Sequence, residues 1–229
     1  YSQRYLDTRR QLMEKEGEPI ASQLARHLIC HFSGKTHDQF LRDRDAYASE
    51  EVCHLVNSAA RRLLADEPLA YILGEWTFYG LDLYVDHNVL IPRDDTCAVA
   101  SLAIKQALFL DQSPRILDLC CGTGCIGLAV ASRVKDARVT LADISRDALA
   151  VAKKNITTHK LSSRVSCVQA DAMREPPAFL GKFDLIVSNP PYIDAKDMKA
   201  LDKSVIDYDP HMALFGGEDG LDFYRFIAA

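Results

Sequence analysis

The residues best suited to chemistry form the sequence Asn-Pro-Pro-Tyr at positions 189–192, directly after the apolar run 185–187. The apolar run predicts a strand that is buried on both faces of a parallel sheet. Proline has no N–H and keeps the preceding residue out of the helical region, so positions 189–192 are predicted to form a stiff, extended loop. Such a loop lies at the carboxyl end of a strand, where open α/β sheets bind their ligands.

The chemistry that this loop suits is the binding of a planar NH2 group. The side-chain oxygen of Asn189 and the carbonyl oxygen of Pro190 can each accept one of its hydrogens. Pro191 brings no N–H to compete for the same space, and Tyr192 offers a flat face or a hydroxyl. We therefore take Asn189, Pro190 and Tyr192 as candidate catalytic residues. The alternative is a strand followed by an ordinary proline turn.

A second candidate site is the glycine-rich segment that begins at Gly122. Its pattern, Gly-x-Gly-x-x-Gly over 122–127, follows a predicted strand at 116–120, and Asp143 ends the next strand. In dinucleotide sites the glycines let the backbone approach the ligand, and the carboxylate binds the ribose hydroxyls. The same geometry also serves S-adenosylmethionine. The segment alone therefore leaves open an NAD-dependent dehydrogenase and a methyltransferase.

Two features favour S-adenosylmethionine. Asp118 lies inside the first strand, where it can bond to the glycine loop or to the amino group of a methionine moiety, and a dinucleotide site would more often be apolar there. The Asn-Pro-Pro-Tyr loop has a use in the methylation of an amino group and none in hydride transfer. Structural alternatives are a helix cap or loop brace for Asp118 and a helix cap for Asp143, although Ser145 competes for that last position.

Composition limits the class of protein. The chain has 229 residues, of which 48% are hydrophobic and 26% charged, as is ordinary for a soluble globular protein. We expect no membrane span, no signal peptide and a cytoplasmic location. The net charge of −5 argues against a nucleic-acid substrate.

The seven cysteines are odd in number and contain no Cys-x-x-Cys pair, which predicts reduced, buried thiols. Cys120, Cys121 and Cys125 cluster, but they have no histidine partner at metal spacing, so we expect no metal site.

The pattern of elements predicts three parts. Residues 1–74 read as a small helical bundle in which Thr36 and Ser49 cap helices, and residues 75–92 read as a β-hairpin linker. Residues 93–229 begin with a helix that Asp94 or Asp95 can cap and that runs to about Leu110. They then alternate strands and helices, which predicts an α/β domain with a doubly wound parallel sheet. Its predicted strands lie at 116–120, 139–143, 165–168 and 183–188. Because four strands are few for this architecture, we expect that C-terminal strands are missing from this chain.

The chain resembles the release-factor glutamine methyltransferases, the HemK/PrmC family, over most of its length. The resemblance rests on 68–74, Phe-Tyr-Gly at 78–80, Leu-Ile-Pro-Arg at 90–93, the segments 118–126 and 143–145, and 188–193. Gly-Gly-Glu-Asp-Gly-Leu at 216–221 is a further characteristic stretch. Asn-Pro-Pro-Tyr alone is shared with DNA adenine methyltransferases, whereas the Pro-Arg and Gly-Gly-Glu-Asp-Gly stretches are far more specific.

The resemblance implies a Rossmann-like class I S-adenosylmethionine-dependent methyltransferase domain. It would methylate the side-chain amide nitrogen of the glutamine in the Gly-Gly-Gln motif of peptide chain release factors, leaving S-adenosylhomocysteine, and residues 1–74 would help to dock this protein substrate. The implied substrate-binding residues are Pro92, Arg93, Asn189, Pro190, Pro191 and Tyr192. The implied cofactor-binding residues are Asp118, Cys120, Cys121, Gly122, Thr123, Gly124, Asp143, Asp171, Ala172 and Asn189.

The chain departs from the family pattern at three places. Cys120 stands where the family usually has the first glycine of its cofactor loop, and its side chain must find room beside the cofactor. Cys121 replaces a common threonine, and Cys97 replaces a glutamate of the motif after Pro-Arg. The alternatives are a nucleic-acid adenine-N6 methyltransferase, an NAD-dependent dehydrogenase, and a non-catalytic protein that binds release factor without turnover.

Overall fold

The computed structural model describes residues 1–110 and 113–228. Residues 111, 112 and 229 of the predicted domain 93–229 lie outside the described part. The chain divides into two compact units, Tyr1–Leu73 and Gly74–Ala229. Within the described residues, no helix combines the length and the apolar character that a membrane span requires.

The first unit is helical, as the sequence predicts. Its helices are α1 (Ser2–Glu16), α2 (Glu18–Ser33), α3 (His37–Arg42), α4 (Glu50–Leu64) and the short α5 (Leu69–Leu73). The predicted caps are confirmed, because the Thr36 hydroxyl accepts from Gln39 N at 3.2 Å and the Ser49 hydroxyl accepts from Val52 N at 3.2 Å. Apolar side chains of α1, α2 and α4 are buried together and form a core of their own.

The second unit opens with a β-hairpin of β1 (Glu75–Phe78) and β2 (Leu81–Tyr84). Tyr79 and Gly80 form its turn, and both have positive φ, as a two-residue type I′ turn requires. The hairpin packs as part of the second unit, since Phe78 and Leu83 are buried in that unit's core. This packing goes beyond the linker role expected for residues 75–92.

The rest of the unit alternates helices and strands in the predicted order. The elements are α6 (Thr96–Phe109), β3 (Arg115–Leu119), α7 (Cys125–Arg133), β4 (Arg138–Asp143), α8 (Arg146–Thr158), β5 (Val165–Gln169), β6 (Leu185–Ser188), α9 (Lys203–Tyr208) and α10 (Asp222–Ile227). In the described residues the strands form one parallel sheet in the order β5-β4-β3-β6. The strand order reverses between β3 and β6, and this switch point is where doubly wound folds bind ligands.

Three local predictions are corrected. Strand β6 was expected to be buried on both faces, yet Ile186 is half-exposed, because β6 is an edge strand and α6 covers only one of its faces. Asp95 occupies the N-cap position of α6 but makes no side-chain capping bond, since its backbone is already helical. Of the seven free cysteines only Cys121 and Cys125 are buried, because the others lie at partly open positions.

Candidate active site

The candidate site lies at the carboxyl ends of β3 and β6. Leu119 and Ser188 are neighbours in the register of these strands, and the Ser188 hydroxyl donates to the Leu119 carbonyl at 2.6 Å. A cavity of about 450 Å³ opens beside this junction, a size typical of small-molecule sites. The glycine loop that follows β3 and the Asn-Pro-Pro-Tyr loop that follows β6 both contribute to its walls.

The glycine loop turns sharply between β3 and α7. Cys120, Gly122 and Gly124 have φ values of 59°, 51° and 79°, in the region that favours glycine. The positive φ at position 120 explains why the family usually has glycine there, because the Cys120 side chain stands on a backbone that glycine adopts without strain. A Cβ added to Gly127 would lie 2.3 Å from Leu141, so this glycine lets α7 pack closely on β4.

Asp143 closes the same loop from the end of β4. Its Oδ2 accepts from Gly122 N at 2.9 Å, and its Oδ1 accepts from Ser145 N at 2.9 Å. The predicted cap of α8 is Ser145, whose hydroxyl accepts from Ala148 N at 3.1 Å. Asp143 is therefore not the cap of α8, and its carboxylate lies on the cavity wall beside the glycine loop.

Asp118 lies beneath the loop and does not line the cavity. It is buried, and its Oδ2 accepts from the backbone N–H of Gly127 at 2.8 Å, whereas Oδ1 has no partner among the described residues. Burial raises the pKa of this carboxyl to about 8. Asp118 thus braces the start of α7, which is the structural alternative weighed for it.

The Asn-Pro-Pro-Tyr loop presents Asn189 to the cavity. The Nδ2 of Asn189 donates to the hydroxyl oxygen of Thr96 at 3.2 Å, and the described residues supply no hydrogen bond to Oδ1. Pro191 also lines the cavity. Pro190 is buried outside its lining, and Tyr192 is 56% exposed, outside it as well.

The stretch after α9 fixes the backbone of this loop. Ile193 N donates to the Leu214 carbonyl at 2.9 Å, and Gly216 N donates to the Ile193 carbonyl at 2.9 Å. A Cβ on Gly216 would lie 2.7 Å from the Pro191 carbonyl oxygen, and one on Gly220 would lie 2.3 Å from that of Tyr192. These glycines are therefore needed for the close approach of two backbones, a role that the sequence pattern alone does not reveal.

The Pro-Arg segment forms another wall of the cavity. Pro92 and Arg93 both line it, and Arg93 Nη2 donates to Asp209 Oδ2 at 2.6 Å. The Asp209 side chain is 1% exposed, whereas that of Arg93 is 46% exposed. Arg93 therefore joins the segment before α6 to the segment after α9, in addition to facing the cavity.

Cys120, Cys121 and Cys125 also line the cavity, and burial raises the pKa of each thiol well above its ordinary value. In the part of the chain that the structure describes, His, Cys, Asp and Glu side chains form no group that could hold a metal ion.

Most of the predicted site residues therefore meet in one cavity. Those on its lining are Pro92, Arg93, Cys120, Cys121, Gly122, Thr123, Asp143, Asp171, Ala172, Asn189 and Pro191, and those off it are Asp118, Gly124, Pro190 and Tyr192. Sequence reasoning missed further lining residues, including Thr96, Ile144, Met173, His211, Met212, Phe215 and Phe223. Ile144 could have been found from the sequence, because it directly follows Asp143, a strand end already predicted to bind the ligand.

The cavity fits S-adenosylmethionine by the chemistry of its walls. Asp143 offers a carboxylate suited to ribose hydroxyls. Gly122 leaves room for a ligand beside the backbone, because a Cβ added to it would have no atom within 4 Å. Ile144, Ala172 and Met173 supply an apolar surface suited to an adenine ring. Asn189 lines the same cavity, so an NH2 group bound at Asn189 would lie beside the ligand of the glycine loop.

The fold and the site together define a class I methyltransferase domain. The family model described as "Methyltransferase small domain" matches residues 95–212, and the one described as "PrmC N-terminal domain" matches residues 5–74. The chain belongs to the release factor glutamine methyltransferase family, and the resemblance seen in its motifs is confirmed.

Three curated relatives illustrate the similarity. The release factor glutamine methyltransferase of Chlorobaculum tepidum is 39% identical over 94% of this chain and 74% of the relative. That of Geobacter sulfurreducens is 43% identical over 78% of this chain and 60% of the relative. The ribosomal protein uL3 glutamine methyltransferase of Francisella tularensis is 39% identical over 78% of this chain and 56% of the relative. The chain thus spans between about half and three quarters of the length of these relatives.

Proposed function

We propose that this protein methylates the side-chain amide nitrogen of the glutamine in the Gly-Gly-Gln motif of peptide chain release factors, with S-adenosylmethionine as methyl donor. The observation that carries the proposal is the hydrogen bond from Asn189 Nδ2 to Thr96 Oγ1. With its donor end held by Thr96, the Asn189 amide has its acceptor oxygen available to a substrate NH2 group. The family membership supports glutamine as the source of that group.

The residues of the glycine loop and the strand ends would hold the cofactor. The loop 120–124 would enclose the methionine end, Asp143 would accept from the ribose hydroxyls, and Asp171 with Ala172 would line the adenine side. When bound, S-adenosylmethionine supplies an electrophilic methyl carbon. The N–C bond forms as the S–C bond breaks, and one amide proton then leaves the nitrogen for solvent.

Orientation and electrostatics are the contributions that the substrate loop can make. An amide nitrogen is a poor nucleophile because its lone pair is delocalised into the carbonyl. The Asn189 side-chain oxygen and the Pro190 carbonyl would accept the two N–H groups, aim the nitrogen and stabilise the positive charge that develops on it. Tyr192, which is exposed at the end of this loop, would contact the substrate chain around the glutamine.

Residues 1–74 would contribute to docking of the protein substrate. The first unit has its own buried core, so it can offer a preformed surface to a partner. If it docks release factor, removal of residues 1–73 should raise the KM for intact release factor far more than the KM for a short Gly-Gly-Gln peptide. An equal loss on both substrates would mean that the unit only stabilises the protein.

The substrate assignment is tested by parallel incubation of the protein and S-adenosylmethionine with release factor, with ribosomal protein uL3 and with DNA. We expect methyl transfer to release factor, at the glutamine of the Gly-Gly-Gln motif. Preferential methylation of uL3 would retain the glutamine chemistry and change the partner, as the name of one relative suggests. Efficient methylation of DNA would overturn the assignment in favour of adenine.

A further inference from the structure

Thr96 lies within hydrogen-bond distance of Asn189 in the candidate site, a contact that the sequence does not predict. It is the first residue of α6, it is only 6% exposed, and it lines the cavity together with Asn189. Its backbone N–H donates to the Arg93 carbonyl at 3.0 Å, which fixes the turn that precedes the helix. The hydroxyl is thereby held on a rigid element, within hydrogen-bond distance of Asn189.

The side-chain amide of Asn189 has two chemically opposite ends, and its function depends on which end meets the substrate. An NH2 group needs an acceptor, which is Oδ1, whereas Nδ2 would place donor against donor. Nδ2 then needs an acceptor of its own, because Asn189 is partly buried and an unpaired donor there is costly. Within the described residues that acceptor is the Thr96 hydroxyl, 3.2 Å away.

We propose that Thr96 is a positioning residue that orients the Asn189 amide so that its oxygen accepts from the substrate NH2 group. The inference rests on the proposed function and adds to it a residue that acts through Asn189. A hydroxyl is needed at position 96, since a methyl group of the same shape cannot accept from Nδ2. The effect falls on the chemical step, because misaligned reacting groups reduce catalytic turnover more than binding.

The kinetic test compares Thr96→Val, which removes the hydroxyl, with Thr96→Ser, which keeps it. With a Gly-Gly-Gln peptide as substrate we expect kcat to fall by about 10- to 100-fold in Thr96→Val and to stay near the wild-type value in Thr96→Ser. The Kd for S-adenosylmethionine should be unchanged in both. Thr8→Val is the matched control, because Thr8 is also a buried threonine, with its hydroxyl bonded to the Arg4 carbonyl.

A double-mutant cycle distinguishes positioning from a general structural effect. If Thr96 acts through Asn189, Thr96→Val should cause no further loss of kcat in an Asn189→Ala background. An additive loss would overturn the inference, and so would a wild-type kcat in Thr96→Val.

A second measurement reads the orientation directly and needs no turnover. In full-length protein labelled with ¹⁵N-asparagine, the side-chain amide signals of Asn189 are those that vanish in Asn189→Ala. We expect them to shift in Thr96→Val and to keep their wild-type positions in Thr96→Ser and Thr8→Val; unmoved signals in Thr96→Val would overturn the inference. A wild-type protein that methylates no glutamine substrate would overturn the proposed function, while these signals would still decide whether Thr96 holds the Asn189 amide.

Discussion

Arg93 and Asp209 form an ion pair across 116 residues of sequence, with 2.6 Å between Nη2 and Oδ2. The pair joins the segment before α6 to the segment after α9 on two walls of the candidate site. Because the Asp209 carboxylate is almost fully buried, loss of this partner would leave a buried charge less well paired.

Replacement of Arg93 by methionine should therefore destabilise the second unit by about 1.5–3 kcal/mol, the range for hydrogen bonds to charged groups. Arg225→Met is the control, because Arg225 pairs with Asp219 on the surface, where ion pairs contribute little. Urea unfolding of both variants measures the difference, and equal stability of the two would show that the buried pair has no special role.

The position of Asp143 on the cavity lining predicts a defect in cofactor binding when it is replaced. Asp143→Ala should weaken S-adenosylmethionine binding by about 1.5–3 kcal/mol, since a charge-assisted hydrogen bond to ribose would be lost. Titration calorimetry gives the affinity, with Asp147→Ala in the first turn of α8 as the control. An unchanged affinity in Asp143→Ala would reduce Asp143 to a brace of the Gly122 loop.

The close approach at Gly216 predicts a steric defect in the substrate loop. The Cβ of Gly216→Ala would lie 2.7 Å from the Pro191 carbonyl oxygen and from Tyr192 Cα, so the loop must move away from its position. We expect kcat to fall while cofactor affinity is retained. Gly34→Ala is the control, because that glycine has positive φ and open space around it, so it adds strain without touching the loop. Full activity of Gly216→Ala would show that the loop tolerates displacement.

Asp118 predicts a specific pH dependence of stability. Its pKa in the folded protein is raised to about 8, above that of an unfolded aspartate, so the folded state binds more protons between the two values. The unfolding free energy should therefore fall as pH rises from about 4 to about 8, with a slope of up to about 1.4 kcal/mol per pH unit, and level off above that.

Asp118→Asn cannot ionise and should lack this part of the pH dependence. Urea unfolding of both proteins across this pH range tests the prediction. Parallel curves for wild type and variant would mean that Asp118 ionises normally in the folded state.

The sequence predicted the features that depend on local pattern. The caps at Thr36, Ser49 and Ser145 and the strand–loop–helix order around the glycine loop follow from residue types within a few positions, and the structure has them. The prediction that Asp95 caps α6 was wrong, because its backbone is already helical and its side chain makes no capping bond. The predicted burial of Ile186 was wrong, because the exposure of a strand depends on which elements cover the sheet.

The contacts that complete the site could not be predicted, because they join residues far apart in the chain. Thr96 meets Asn189 across 93 residues, and Asn155 bonds to the Tyr84 backbone across 71 residues and also to the Thr123 carbonyl in the glycine loop. Thr96 lies in the motif after Pro-Arg, but the pattern of that motif does not show which residue its hydroxyl contacts, and no local pattern marks Asn155. Only the folded arrangement shows that they support the loops.

Mass spectrometry of release factor after incubation with S-adenosylmethionine tests the central claim most directly, with wild-type protein and Asn189→Ala compared at equal concentration. Wild type should add the mass of one methyl group to the glutamine of the Gly-Gly-Gln motif. Asn189→Ala should bind the cofactor normally and lose about 2.7–4 kcal/mol of transition-state stabilisation, as enzymes do when one positioned hydrogen-bonding group is removed. Methylation of that glutamine at the wild-type rate by Asn189→Ala, or no methylation of it by wild type, would contradict the claim.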